Sequence, residues 1–102
     1  MQALTVQALH DELQNFTVID VRPAQARAVA EFPHPYEVLD EDSFERLSAL
    51  PKDTRLAFLC HHGNSSRQAA EHFRGLGFTQ LFNIEGGIDA WAEQVDHGVT
   101  RY

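Results

Sequence analysis

The chain has 102 residues, of which 43% are hydrophobic, and this length supports one compact domain. Fifteen acidic residues against eight basic ones give a net charge of −7 without a basic stripe, so nucleic-acid binding is not expected. We expect no membrane segment and no leader, because no apolar stretch approaches spanning length. One cysteine excludes an internal disulfide and a cysteine-rich zinc site, and the expected location is the reducing cytoplasm.

The first half of the chain shows helix and strand signals in alternation. Helices are predicted where a capping residue or an N-terminal proline precedes regularly spaced apolar residues, and strands where β-branched residues lie between turn residues. Thr5 is the predicted cap of the first helix, and Ser43 is the predicted cap of the third. The predicted elements are a helix over 5–13, a strand over 16–21, a helix over 23–30, a weak strand over 36–39 and a helix over 43–47.

The second half continues the alternation. It contains a buried strand over 55–59, a helix over 68–74, a strand over 79–84 and a last helix that carries Trp91. Gly75 and Gly77 supply a helix C-terminus before the third of these elements. Strands that alternate with helices at this spacing predict a single α/β domain with a central, mainly parallel sheet and helices on both faces.

Cys60 stands between the strand over 55–59 and the helix over 68–74. At such a turn, backbone N–H groups converge and a helix N-terminus points inward, and both stabilise a thiolate or a bound oxyanion. In a parallel sheet this position, at the carboxyl end of a strand, is also where ligands bind. The alternative is an inert buried thiol, which is a common fate of a free cysteine.

The residues after Cys60 favour a reactive cysteine, because they are almost all small or polar. Gly63 permits the positive φ that a tight loop needs, and its neighbours can donate hydrogen bonds or cap the next helix. Three possible ligands in consecutive positions cannot readily converge on one ion, so we predict no metal and no cofactor. The candidate site is Cys60 followed by His61, His62, Gly63, Asn64, Ser65, Ser66 and Arg67.

Four segments, in an order that spans roughly residues 4 to 94, carry a family likeness. They are Ile19-Asp20-Val21-Arg22, Cys60-His61-His62-Gly63-Asn64-Ser65, Gly75-Leu76-Gly77-Phe78 and Glu85-Gly86-Gly87-Ile88-Asp89-Ala90-Trp91. Together they resemble the small single-domain members of the rhodanese family of sulfurtransferases, whose active-site loop reads Cys-x-x-Gly-x-Ser/Thr. The resemblance implies one rhodanese-like domain over 1–102, with a short C-terminal tail after the core.

One region departs from the family pattern. Where these domains usually read Gly-His-Ile-Pro-Gly-Ala, this chain reads Ala30-Glu31-Phe32-Pro33-His34-Pro35-Tyr36. The resemblance therefore does not define the following strand or the pocket wall over Phe32–Tyr36. Asp20 and Arg22, at the end of an earlier strand, are interpreted as a structural polar pair that fixes neighbouring loops, although a catalytic role is possible in principle.

The resemblance implies a thiosulfate sulfurtransferase with Cys60 as its nucleophile. The thiolate attacks the outer sulfur of a small anionic donor such as thiosulfate, and a thiophilic acceptor, cyanide or a thiol, later removes that sulfur from the persulfide. Backbone N–H groups from His61 to Ser66 would hold the sulfur anion. Arg67 is a candidate for binding the sulfonate end of the donor, with an ordinary surface arginine as the alternative. His61 and His62 either line the pocket mouth or are exposed without a role.

Other functions stay open from the residues alone. A phosphatase loop places arginine six positions after the cysteine, but here Ser66 takes that position and Arg67 follows, which argues against a phosphatase. Loop length permits an arsenate reductase, although no second cysteine is present to resolve an intermediate. A non-catalytic module that carries sulfur to a protein acceptor, or binds a partner, needs the same persulfide. The acidic surface would favour a basic partner.

Overall fold

Five strands form a parallel sheet in the computed structural model, which describes residues 1–63 and 66–102. All four strand pairings are parallel, as the sequence predicts for this α/β fold. The first strand was not predicted, because its three residues are too few to show a pattern. The strands are β1 (Gln2–Leu4), β2 (Thr17–Asp20), β3 (Glu37–Val38), β4 (Leu56–Leu59) and β5 (Leu81–Ile84), in the sheet order β1-β5-β4-β2-β3.

Helices cover both faces of the sheet, as predicted. On one face α1 and α5 pack onto the strands through Leu9, Ile88 and Trp91, and on the other α3 and α4 do so through Leu47 and Phe73. In the described part of the chain, none of the helices has the length and apolar character needed to cross a membrane. The helices are α1 (Val6–Asp11), α2 (Ala24–Val29), α3 (Glu41–Ser48), α4 (Arg67–Gly75) and α5 (Gly87–Gln94), with a 3₁₀ turn at Leu13–Asn15.

Of the two helix N-caps predicted from the sequence, one is confirmed and one is wrong. Thr5 caps α1 as predicted, because its hydroxyl accepts a hydrogen bond from the N–H of Ala8 at 3.1 Å. The prediction that Ser43 caps α3 is wrong, since Asp40 is the cap. The Asp40 carboxylate accepts from the Ser43 N–H, and the Ser43 hydroxyl accepts from the Asp40 N–H, both at 2.9 Å. Serine is thus the second member of a capping box, and the helix begins earlier than expected.

The strand order creates a crevice at the carboxyl ends of the adjacent inner strands β2 and β4. From β2 the chain moves outward to β3, whereas from β4 it moves in the opposite direction to β5. Right-handed crossovers therefore send α2 and α4 to opposite faces. The loops that follow β2 and β4 diverge over the carboxyl ends of two adjacent strands, which is the usual place for a ligand in such a sheet.

Candidate active site

Cys60 lies in this crevice, directly after β4 at its carboxyl end. Every residue of β4 is buried, and Cys60 itself is only 1% exposed. The neighbouring loop is held alongside, because the Val21 N–H donates to the Leu59 carbonyl at 2.9 Å. The predicted position of the cysteine at a strand's carboxyl end is therefore confirmed.

The loop after Cys60 turns its backbone toward the sulfur. The N–H of Gly63 donates to the Cys60 Sγ at 3.0 Å, a contact that stabilises negative charge on sulfur. Gly63 has a φ of +88°, as the sequence predicts, and a β-carbon there would lie 2.9 Å from the Gly86 nitrogen. A residue with a side chain would thus be both strained and crowded at this position.

Asn83, on the neighbouring strand β5, fastens the loop from its other side. Its side-chain amide donates to the Gly63 carbonyl at 3.0 Å, and its amide oxygen accepts from the Ser66 hydroxyl at 2.7 Å. Sequence reasoning missed this residue. The available signal was an amide with apolar neighbours on both sides, Phe82 and Ile84, where an unpaired polar group would be costly and a specific partner is expected.

The N-terminus of α5 fixes the backbone of the cysteine itself. The N–H of Ile88 donates to the Cys60 carbonyl at 2.9 Å, and that of Asp89 donates to the His61 carbonyl at 3.2 Å. Gly87 makes this approach possible, because a β-carbon there would lie 2.3 Å from the Cys60 carbonyl oxygen. This glycine belongs to the Gly-Gly pair that the sequence placed before the last helix.

Asp20 and Arg22 form the predicted polar pair on the β2 side of the crevice. Arg22 donates through Nε to Asp20 Oδ1 at 3.0 Å and through Nη2 to Oδ2 at 2.8 Å, and both residues are buried. Burial acts to lower the pKa of Arg22, but hydrogen bonds to Asp20 and Tyr102 outweigh it and raise that pKa. The guanidinium is thus a permanent cation beside the crevice, neutralised by its carboxylate partner.

A cleft of about 250 Å³ opens beside the cysteine. Of the predicted site residues, Cys60 and His61 line it, and Ser66 is buried below as a partner of Asn83. His62 and Arg67 are exposed, and Arg67 stands at the first residue of α4, outside the lining. Among residues 1–63 and 66–102, those that line the cleft are Val21, Arg22, Pro23, Ala26, Cys60, His61 and Tyr102.

Two of the predicted site residues, Asn64 and Ser65, lie outside the described residues. Within residues 1–63 and 66–102, no three histidine, cysteine or acidic side chains are grouped so that they could hold a metal ion.

The segment Phe32–Tyr36, which departs from the family pattern, lies away from this cleft. Phe32 is buried against Trp91 with ring centroids 4.8 Å apart, and His34 packs on the same indole at 5.6 Å. The departure therefore changes the packing on the α5 face rather than the described lining beside Cys60. Trp91 is a core residue, as the sequence predicts.

The comparisons with known proteins agree with the fold. The family model of the rhodanese-like domain matches residues 5–94, and the chain therefore belongs to the rhodanese-like domain family.

Among curated relatives, the adenylyltransferase and sulfurtransferase UBA4 of Candida albicans is 29% identical over 83% of this chain. The chain covers only 21% of that relative, so it spans about a fifth of its length. A rhodanese-related protein from Thermoplasma volcanium is 26% identical with a TM-score of 0.74, covering 93% of this chain and 94% of that one. A polysulfide-sulfur transferase from Wolinella succinogenes is 27% identical with a TM-score of 0.68, covering 92% and 74%.

Proposed function

We propose that this protein is a sulfurtransferase that moves sulfane sulfur from thiosulfate or a similar anionic donor to a thiophilic acceptor through a Cys60 persulfide. Membership of the rhodanese-like domain family supports the reaction class. Two similar proteins are themselves named as sulfur-transferring enzymes. The observation that carries the proposal is the contact between the Gly63 N–H and the Cys60 Sγ, in a loop fastened by Asn83.

The first half-reaction loads the cysteine. The Cys60 thiolate attacks the outer sulfur of thiosulfate, a new S–S bond forms, and the original S–S bond breaks with its electron pair leaving on sulfite. The product is a persulfide anion whose added sulfur extends into the cleft. The Gly63 N–H supports the thiolate before the step, and a fixed donor requires no reorganisation during it.

The second half-reaction unloads the sulfur. A nucleophilic acceptor, cyanide or a thiolate, attacks the outer sulfur of the persulfide, and the Cys60 thiolate leaves with the electron pair of the S–S bond. No outside oxidant or reductant is needed, because in each step a nucleophile takes the sulfane sulfur and the leaving group, sulfite or the Cys60 thiolate, departs with the electron pair of the broken S–S bond. A protein thiol could serve as acceptor, and the net charge of −7 would favour a basic partner.

The roles expected from the sequence for Arg67, His61 and His62 remain proposals, and the structure supports some of them more than others. His61 lines the cleft and is close to the path of any ligand. Arg67 is exposed at the start of α4 and would have to reach back over the loop to hold the sulfonate of a donor. Its position also weakens the phosphatase alternative, since a phosphatase arginine closes around the anion bound by the cysteine loop.

Intact-protein mass spectrometry tests the proposal directly. The reduced protein is treated with thiosulfate or with mercaptopyruvate, desalted, and weighed before and after addition of cyanide. We expect a gain of one sulfur atom with thiosulfate and its loss with cyanide. Cys60→Ser is the matched control, because its hydroxyl leaves essentially no anion at neutral pH, and it should gain nothing while staying folded.

The same experiment separates an enzyme from a carrier module. An enzyme turns over thiosulfate and cyanide repeatedly, whereas a carrier acquires one sulfur and releases it only to its partner. Failure of the wild-type protein to gain sulfur from either donor would refute the proposed reaction. Retention of substantial thiosulfate-dependent turnover in Cys60→Ser would refute the assigned nucleophile.

A further inference from the structure

Residues 99–102 lead to the Cys60 cleft, which Tyr102 helps to line, and we call them the C-terminal strap. The sequence predicted only a short tail after residue 94, and the family model also ends there. Val99 joins the hydrophobic cluster around α1 and α5, which turns the segment back toward the sheet edge. Tyr102 then reaches the cleft and forms part of its lining.

Tyr102 bridges the two loops that frame the cleft. On the β4 side its ring stacks on His61, with centroids 3.7 Å apart and planes 5° from parallel, and its main-chain oxygen accepts from the His61 Nε2 at 2.5 Å. On the β2 side its hydroxyl accepts from the Arg22 Nη1 at 3.3 Å. The Tyr102 side chain therefore spans the cleft from His61 on one wall to Arg22 on the other.

Arg101 ties the strap to α5. Its guanidinium donates to both carboxylate oxygens of Asp89, at 2.8 and 3.1 Å, and lies 3.6 Å from Glu93. These contacts are at the surface, since the Arg101 side chain is 54% exposed. Exposed ion pairs contribute little to stability, so the strap is held in a defined place but weakly.

The buried cysteine and the more exposed Tyr102 lie in the same cleft. Cys60 is 1% exposed, while Tyr102 above it is 41% exposed. The cleft between them has a volume of about 250 Å³, and Tyr102 is one of the residues that line it.

We propose that the strap determines which reagents reach the Cys60 sulfur by their size, with Tyr102 as the specificity-determining residue. This inference rests on the proposed sulfur transfer for its biological meaning, but not for its test. With the strap in place, small donors and acceptors react directly. A larger thiol, including one carried on a protein, must first displace Tyr102, and a partner that competes for His61 and Arg22 would do so.

Alkylation of the protein tests the strap independently of sulfur transfer, because Cys60 is the sole cysteine and every adduct reports on it. The rates for a small reagent, iodoacetamide, and a bulky one, pyrene maleimide, are followed by intact mass. We expect Tyr102→Ala to raise the bulky-reagent rate about tenfold and the small-reagent rate by less than about threefold, since weak surface contacts hold the ring. Tyr102→Phe keeps the stacked ring and should stay close to wild type.

Removal of the Arg101 anchor gives a second, milder test. Arg101→Ala should raise the bulky-reagent rate about threefold, because the ring contacts remain. Its matched control is Arg74→Ala, which removes another exposed arginine from a surface ion pair, that with Glu71 on α4. The control should change neither rate.

The outcomes separate this inference from the proposed function. Equal bulky-reagent rates in wild type and Tyr102→Ala would overturn the strap, and so would an equal increase for both reagents. A selective increase for the bulky reagent in a protein that gains no sulfur from thiosulfate would establish the strap and refute the sulfurtransferase. Where sulfur transfer does occur, Tyr102→Ala should speed transfer to glutathione more than transfer to cyanide.

Discussion

The Cys60 loop and the C-terminal strap face the same sulfur but are held in opposite ways. The loop is fixed by interior contacts, namely the Asn83 side chain and the first N–H groups of α5. The strap is fixed by a stacked ring and by exposed ion pairs of Arg101. Leaving a buried hydrogen-bonding group without its partner costs about 1–3 kcal/mol, whereas surface pairs are screened by water and salt.

This difference indicates a division of roles between the two regions. The loop places the Gly63 N–H 3.0 Å from the Cys60 Sγ, and a reaction with developing charge on sulfur requires such a fixed donor. We expect Tyr102 to move without disturbing that geometry, because its side chain contacts His61 and Arg22 at the walls of the cleft. Substitutions in the loop should therefore affect chemistry, and substitutions in the strap should affect access.

The largest effect is expected from Gly63→Ala. The new β-carbon would lie 2.9 Å from the Gly86 nitrogen at a φ of +88°, so the loop must shift and the N–H must leave the sulfur. We expect the rate of persulfide formation from thiosulfate to fall about a hundredfold, as for loss of one fixed anion donor. The measurement is single-turnover loading followed by intact mass.

Gly75→Ala is the matched control for that substitution. Gly75 has no atom within 4 Å of the position its β-carbon would take, and it lies at the end of α4, away from the sulfur. Its loading rate should equal that of wild type. If both alanine variants loaded at the wild-type rate, the Gly63 contact would have no part in the reaction.

A smaller effect is expected from Asn83→Ala, which removes a hydrogen bond to the loop without changing a residue of the loop. The Gly63 carbonyl and the buried Ser66 hydroxyl would both lose their partner, so we expect a loss of about 1–2 kcal/mol in the free energy of unfolding. The loading rate should fall about tenfold, because the N–H donor is then less well positioned. Urea unfolding and single-turnover loading measure the two quantities, with the exposed Asn15→Ala as control.

Arg67→Ala tests whether a cation outside the described cleft lining helps to bind the donor. We expect the KM for thiosulfate to rise about threefold to tenfold, with sulfur transfer from the loaded persulfide unchanged, since only the donor carries a sulfonate. Arg74→Ala, which removes an arginine further along the same helix, should leave both half-reactions unaltered. An unchanged KM in Arg67→Ala would make Arg67 an ordinary surface residue.

The smallest effect concerns the acidity of Asp89, the carboxylate that pairs with Arg101 of the strap. The hydrogen bond from Arg101 holds the pKa of Asp89 below the ordinary range of an aspartic acid, despite the opposing effect of burial. A lowered folded-state pKa stabilises the protein above the unfolded-state value, about 4, and this contribution is lost as the pH falls through the folded-state pKa.

Urea unfolding of wild type and Asp89→Asn between pH 7 and pH 3 measures that contribution. We expect the wild type to have the slightly higher midpoint at neutral pH and the two midpoints to converge at the acid end of the series. A difference that grew on acidification would contradict the assigned sign.

Much of the fold was predictable because its signals are local. A run with β-branched residues marked β2, a short apolar run between turn signals marked β4, and the glycines after α4 and before α5 marked the turns. The loop geometry was predictable for the same reason, since Gly63 is the one residue of its segment that accepts a positive φ without strain.

The parts that could not be predicted depend on contacts between distant residues. β1 exists because β5 provides a partner edge, and Asn83 matters because its strand lies beside the Cys60 loop. The strap has no local signal at all. Its position follows from a ring stacked on His61, which is 41 residues earlier in the chain.

The junction between the Cys60 loop and α5 has one more consequence. The N-cap residue of α5 is Gly86, which has no side chain to cap the first turn, and the carbonyls of Cys60 and His61 accept from the N–H groups of Ile88 and Asp89. We therefore expect fraying of the helix N-terminus and loosening of the loop to occur together. Amide hydrogen exchange at Ile88 and Asp89 would thus follow the integrity of the loop in real time, in the free thiol and the persulfide alike, without any label on the sulfur.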